Sequence, residues 1–292
     1  MSDAQDMIDI AVGTRDGGHW PARDAERNLV LESEQLAINI DLAARAPQPG
    51  VWVIVATRYC VLPVEDTEPL TPAREQELRG WLQRREELFR AYTLPSMWAQ
   101  QQEPTAWVLF VDRRLMHLVA PRIQADLPGF AMLVPVEPGQ SSSSALDRVW
   151  YGRTNDRWTV AGRLDNDDSI AVDYCKALAI WTALAKPGES LLSFPFGAQV
   201  AENELFAPRL TTSVTGHFSA YVVPPGGRLN KALGYMHPEV YRGGLDVPVH
   251  QLITTQPMWI EVLHTENLAN HERPGPALTP DPNYWARRMW WR

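Results

Sequence analysis

The densest group of chemically capable side chains is Arg163-Leu164-Asp165-Asn166-Asp167-Asp168, with three carboxylates in four positions. Carboxylates this close repel one another, and a divalent cation with oxygen ligands resolves the conflict. Mg²⁺ and Mn²⁺ usually bind through one or two carboxylates together with substrate phosphates. An ion held here would neutralise a diphosphate leaving group as its bond breaks. The same residues also suit a solvated turn in which Asp168 caps a following helix, since Asp and Asn favour turns and caps. Residue types alone leave both readings open.

The elements around the cluster decide where it sits. Residues 158–164 are apolar and read as a strand running straight into the carboxylates. Val51-Trp52-Val53-Ile54-Val55-Ala56 is a short β-branched run, the mark of a strand buried on both faces. Residues 106–111 and 131–136 are two further strands. A helix begins near Pro72, which suits a first helical position, with Thr71 as its cap. Leu78, Trp81, Leu82, Leu88, Phe89 and Tyr92 recur at helical spacing, and Pro95 is expected to close the helix. Residues 138–144 read as a serine-rich loop, and a second helix is expected over 169–185. Alternating strands and helices imply a largely parallel sheet with helices on its faces. Ligands of open α/β sheets sit beyond the carboxyl ends of the strands, where this cluster falls. After Gly188 the pattern loosens into short strands and loops rich in proline and glycine.

The chain has 292 residues, 45% hydrophobic and 21% charged, enough for one large mixed domain or two small ones. A net charge of −8 argues against general nucleic-acid binding. The N-terminal residues are acidic and lack the features of a signal peptide, and no apolar run approaches the ~20 residues that span a bilayer. Cys60 and Cys175 have no metal or redox spacing, so free thiols in a reducing, cytoplasmic compartment are expected. Residues 29–46 fit a strand or a short helix, and Ala46-Pro47-Gln48-Pro49-Gly50 reads as a boundary loop.

Five segments, taken in order, resemble a known family. Ala56-Thr57-Arg58-Tyr59 ends the first strand, and Tyr92-Thr93-Leu94-Pro95-Ser96-Met97-Trp98-Ala99-Gln100 carries a Ser and a Gln before the second. Trp107-Val108-Leu109-Phe110-Val111-Asp112 ends in an aspartate, the acidic cluster comes fourth, and a late stretch places Trp259, His264 and Asn267. Together, over about residues 51–268, they resemble the family of putative rhamnosyltransferases, itself similar to family-two, GT-A glycosyltransferases.

The resemblance implies an α/β fold: a single GT-A-like domain over 51–268, with a mostly parallel central sheet flanked by helices and a looser C-terminal, acceptor-side region. Residues 1–50 become an N-terminal extension of uncertain structure. Residues 269–292 become a tail whose Tyr284-Trp285-Ala286-Arg287-Arg288-Met289-Trp290-Trp291-Arg292 suits either a helix packed on its own domain or peripheral contact with a membrane.

The implied activity is metal-dependent transfer of a sugar, with inversion, from a nucleotide-sugar donor. The acceptor hydroxyl would belong to a carbohydrate, a lipid-linked glycan, a protein or a small molecule. Mn²⁺ or Mg²⁺ would be held by Asp167 first, with Asp165, Asp168 and His264 as further ligands. Thr57, Arg58, Asp112, Arg163 and Asp165 would line the nucleotide-sugar pocket. Inversion needs a general base for the acceptor hydroxyl. Asp246, the sole aspartate between residues 174 and 280, is the first candidate, with Glu202 and Glu266 as rivals. Two other functions fit the acidic cluster: a nucleotidyltransferase or phosphohydrolase, and a non-catalytic carbohydrate-binding protein on the same fold. The chain has no G-x-x-x-x-G-K phosphate loop.

Overall fold

In the computed structural model the residues described are 8–15, 35–40, 50–150, 156–201, 209–212, 218–234, 247–254 and 257–264. Strands β1 (Ile8–Arg15) and β2 (Gln35–Ile40) come first, followed by β3 (Val51–Cys60). Helix α1 (Pro72–Leu88) passes through a π-helical turn, Phe89–Thr93, into the short α2 (Leu94–Trp98). Then come β4 (Ala106–Asp112), α3 (Met116–Ile123), β5 (Ala131–Val136), α4 (Ser142–Trp150), β6 (Trp158–Arg163), β7 (Ser169–Ile170) and α5 (Tyr174–Ala185). The described chain closes with β8 (Ser190–Ser193), β9 (Phe196–Ala201), β10 (Arg209–Thr212), β11 (Ala220–Val223), β12 (Val249–Ile253) and β13 (Trp259–Leu263).

Among these residues the central sheet runs β2-β1-β12-β8-β11-β6-β3-β4-β5, and a smaller sheet runs β10-β9-β13-β7. The block β6-β3-β4-β5 is parallel throughout. Only β11 and β1 run against the remaining strands of the large sheet. The parallel block is why β3 and β4 read as unbroken apolar runs, since both of their faces are covered. Val53, Val55, Trp107 and Leu109 face α1, α3, α5 and the small sheet. Ile54, Ala56, Val108 and Phe110 face α4 and the segment around Leu229 and Leu233. Gly162 of β6 matters to this packing: a Cβ there would lie 2.9 Å from the Tyr174 hydroxyl of α5.

Four local expectations are corrected. The serine run is not a loop, because α4 starts within it: Ser141 Oγ accepts from the Ser144 amide at 3.1 Å and supplies the cap. Pro95 does not close a helix. It sits in the first turn of α2, where a missing N–H is tolerated, and the π-helical turn before it carries the Leu94 amide back to the Phe89 carbonyl. Ser169 and Ile170 are not helical, because they pair with Ile260 and Trp259 as β7. Helix α5 therefore starts at Tyr174, and its N-cap position belongs to Asp173, not Asp168. The N-terminal extension contributes β1 and β2, which extend the large sheet beyond β12.

Candidate functional site

The carboxyl ends of the central parallel strands converge on the 165–168 loop. The Leu164 amide donates to the Ala56 carbonyl at 3.1 Å, continuing the β6–β3 pairing past the end of β6. Beyond Arg58, β3 bulges: Arg58 pairs with Phe110 but Cys60 pairs with Val111. The carbonyl of Tyr59, the extra residue, accepts from Asn166 Nδ2 at 2.8 Å. A bulge frees a backbone group, and here the acidic loop bonds to it. On the helical side, Thr93 Oγ1 donates to the Asp168 carbonyl at 2.9 Å, and Ser169 Oγ donates to the Tyr92 carbonyl at 3.0 Å. Gln100 extends the brace, donating from Nε2 to the Ala171 carbonyl at 2.8 Å and accepting from the Cys175 amide at 3.1 Å. The π-helical turn and the Ser–Gln segment thus hold the loop in one shape.

Within that frame Asp167 is the focus. Its Oδ2 lies 2.9 Å from His264 Nε2 and 2.5 Å from Arg85 Nη1. The Asp167 and Arg85 side chains are 12% and 13% exposed, and the His264 side chain is fully buried. Arg85 Nη1 also reaches Asn166 Oδ1 at 3.3 Å. The structure thus brings Asp167 and His264 together, and Arg85, from the last turn of α1, was missed by sequence reasoning. Its only sequence signal is position: it falls one turn after Trp81 and three residues before Leu88, near the end of α1 that points at the loop.

Asp165 is gripped by Arg163, through Nε at 3.1 Å and Nη2 at 2.8 Å. Burial lowers the proton affinity of the Arg163 guanidinium, but Asp165 outweighs this by charge and hydrogen bonding, and the net shift is upward. Arg58 shifts the other way: burial and then the Arg163 charge lower it, with partial relief from Asp165. Arg163 thus holds Asp165 directly, while Arg58 feels both charges without a hydrogen bond to either.

Asp168 is buried, and its Oδ1 accepts from the Val262 amide of β13 at 2.9 Å. Burial, then Asp167 and Asp165, push its carboxyl well above the usual range. It ties the loop to the small sheet. Thr57 is fully buried, and its hydroxyl accepts from Trp107 Nε1 at 3.0 Å, bracing β3 against β4. Asp112 is buried at the end of β4 and accepts from Arg114 through the backbone amide, Nε and Nη2. Neither Thr57 nor Asp112 bonds to the acidic loop. Asp246, Glu202 and Glu266, the expected bases, and residues 269–292 lie outside the described residues. Among the described residues no group of three or more His, Cys, Asp or Glu side chains is placed to hold a metal, and no helix is long and apolar enough to cross a membrane.

The family model described as "Putative rhamnosyl transferase" matches residues 72–276. The chain belongs to this family. The match takes in Arg85, the acidic loop and His264, and it begins after β3, so Thr57 and Arg58 precede it. This makes the chain a member of a glycosyltransferase family with an α/β fold built on a mostly parallel central sheet.

Solved structures are similar only at a distance. S. aureus TarS 1-349 in complex with UDP-GlcNAc matches at 11% identity and a TM-score of 0.40, over 74% of this chain and 59% of that one. The complex of the same protein with UDP matches at 11% identity and a TM-score of 0.36, over 73% and 60%. The 4-diphosphocytidyl-2C-methyl-D-erythritolsynthase from Anaerococcus prevotii DSM 20548 matches at 8% identity and a TM-score of 0.35, over 82% and 95%. The family member described here spans less than two thirds of the TarS chain. No curated protein matches it.

Proposed function

We propose that the chain transfers a sugar from a nucleotide-diphosphate donor to an acceptor hydroxyl, with inversion, at the 165–168 loop. The observation that supports this best is the pairing of opposite charges at the carboxyl ends of the sheet. Asp167 and His264 offer two ligand atoms 2.9 Å apart, Arg163 holds Asp165, and the Arg58 cation feels the charges of both. A divalent ion that arrives with a diphosphate needs only one or two protein ligands, because phosphate oxygens and water complete its shell. The Asp167–His264 pair fits such an ion. Its imidazole nitrogen favours Mn²⁺ over Mg²⁺, which prefers oxygen alone. When bound, the ion would offset the charge that develops on the leaving diphosphate.

The protein's own groups carry the other tasks. Arg58 and Arg163 attract the diphosphate, and the two Arg163 hydrogen bonds orient Asp165 for donor hydroxyls. Asn166 and Thr93 hold the loop so that Asp167 does not have to reorganise during the reaction. Inversion by one in-line displacement needs a base on the acceptor side, and Asp246 is the proposed one. The family description makes a rhamnosyl donor the first to test.

The test is a screen of nucleotide sugars with Mn²⁺, followed by NMR of the product. The anomeric coupling should report inversion. Asp246→Asn should lower turnover by roughly 10²-fold or more while donor binding stays near normal. A retained anomer sinks the displacement mechanism, and an unimpaired Asp246→Asn enzyme transfers the base role to Glu202 or Glu266.

A further inference from the structure

The acidic loop already has a cation on it. Arg85 Nη1 lies 2.5 Å from Asp167 Oδ2, the same oxygen that faces His264 Nε2. A divalent ion held by Asp167 would repel a guanidinium bonded to the same carboxylate oxygen. Metal and Arg85 therefore compete for Asp167. Arg85 is also under-used where it stands. Its Nε is buried and has no hydrogen-bond partner. A guanidinium carries five donors in a fixed fork that matches phosphate oxygens in pairs. The Trp81 ring, 5.7 Å from Arg85 Cζ, lies one helical turn back and gives the guanidinium an apolar face to pivot against.

We propose that Arg85 is a donor-binding residue that exchanges partners. It neutralises Asp167 until the metal arrives with the donor, and it then leaves the carboxylate and places its free Nε–H on the donor diphosphate. This rests on the metal-assisted reading of Asp167 and adds a consequence. Free metal binds weakly because it must displace Arg85 with no phosphate to receive it, whereas metal–diphosphate binds well because the displaced guanidinium gains a partner. Metal and diphosphate therefore bind with positive coupling.

Two binding measurements on the full chain test this without turnover. Free Mn²⁺ is titrated by electron paramagnetic resonance, and the preformed manganese–pyrophosphate complex by calorimetry. Arg85→Met keeps an apolar stem out to the position of Nε and removes the guanidinium charge. It should bind free Mn²⁺ about tenfold more tightly than the wild type and manganese–pyrophosphate about tenfold less tightly, the usual scale for a residue that supports a metal ligand. Opposite signs mark exchange. Free Mn²⁺ affinity that falls or does not change in Arg85→Met overturns it. Should that variant fail to fold, Arg85→Lys, which keeps the charge without the fork, should retain weak free-Mn²⁺ binding and lose manganese–pyrophosphate affinity, and wild-type affinity for the complex overturns the proposal. Asp167→Asn separates the layers. It should lose free Mn²⁺, and if it binds Mn²⁺ as the wild type does, the metal reading itself falls and takes the exchange with it.

Discussion

Two strands of the parallel block, β4 and β6, end in the same local device, an arginine forked onto an aspartate two residues away. At the end of β4, Arg114 holds Asp112. At the end of β6, Arg163 holds Asp165. The Asp112 turn is closed on itself. Its carboxylate also caps the Arg114 amide, and the other guanidinium donors pin the preceding loop through Asp66 and the Glu68 carbonyl. The Asp165–Asp168 loop differs in what reaches it from far along the chain. Arg85, 82 residues before Asp167, and His264, 97 residues after it, meet on one oxygen, and the Arg163 charge lowers the proton affinity of Arg58. A charge satisfied by its own turn builds structure. Charges gathered from separate elements, with a buried Nε–H still unmatched on Arg85, are the arrangement expected of a ligand site.

The sharpest way to break this contrast is to remove the centre of the second region. Asp167→Ala should abolish transfer, because metal and diphosphate lose their shared anchor, while the fold survives on the Asn166, Thr93 and Asp168 bonds. Chelation with EDTA should do the same to the wild type, and added Mn²⁺ should restore turnover. Full activity in EDTA would end the metal-dependent reading.

A smaller effect is expected from Arg58→Met. The substitution removes a mostly buried guanidinium that repels Arg163. Donor affinity should drop by about tenfold, the loss of one charge-assisted contact, while the thermal midpoint stays level or rises slightly because burial and the Arg163 charge both disfavour that cation. Unchanged donor affinity together with lower stability would class Arg58 as structural.

The smallest effect on function is expected at the other turn. Asp112→Ala should cost about 1–3 kcal/mol of stability, since Arg114 loses its fork and the turn its cap. Donor affinity should shift little. A large loss of donor affinity with stability intact would erase the contrast, because Asp112 would then touch the nucleotide, as the family resemblance implies.

Much of this was legible in the chain because it is local. The apolar runs of β3, β4, β5 and β6 and the capped start of α1 are written in neighbouring residues. The acidic loop follows β6 directly, so its place at the carboxyl end of a parallel strand follows from the order of elements. His264 was reachable through the family resemblance, though nothing near it in sequence indicates a carboxylate partner. Other features were decided only in three dimensions. Ser169 and Ile170 carry helix-compatible neighbours, yet the edge of β13 captures them as a strand. Asp168 has the chemistry of a helix cap, yet the Val262 amide is the donor that reaches it. Arg85 looks like any other charge on a helix rich in arginine and glutamate, and only the fold, which sets the last turn of α1 at the 165–168 loop, brings its guanidinium to Asp167. The physical reason is the same in each case. Propensity and periodicity report a residue's preference among its near neighbours, whereas a buried polar atom takes whichever partner the fold delivers, because leaving it unpaired costs more than any local preference.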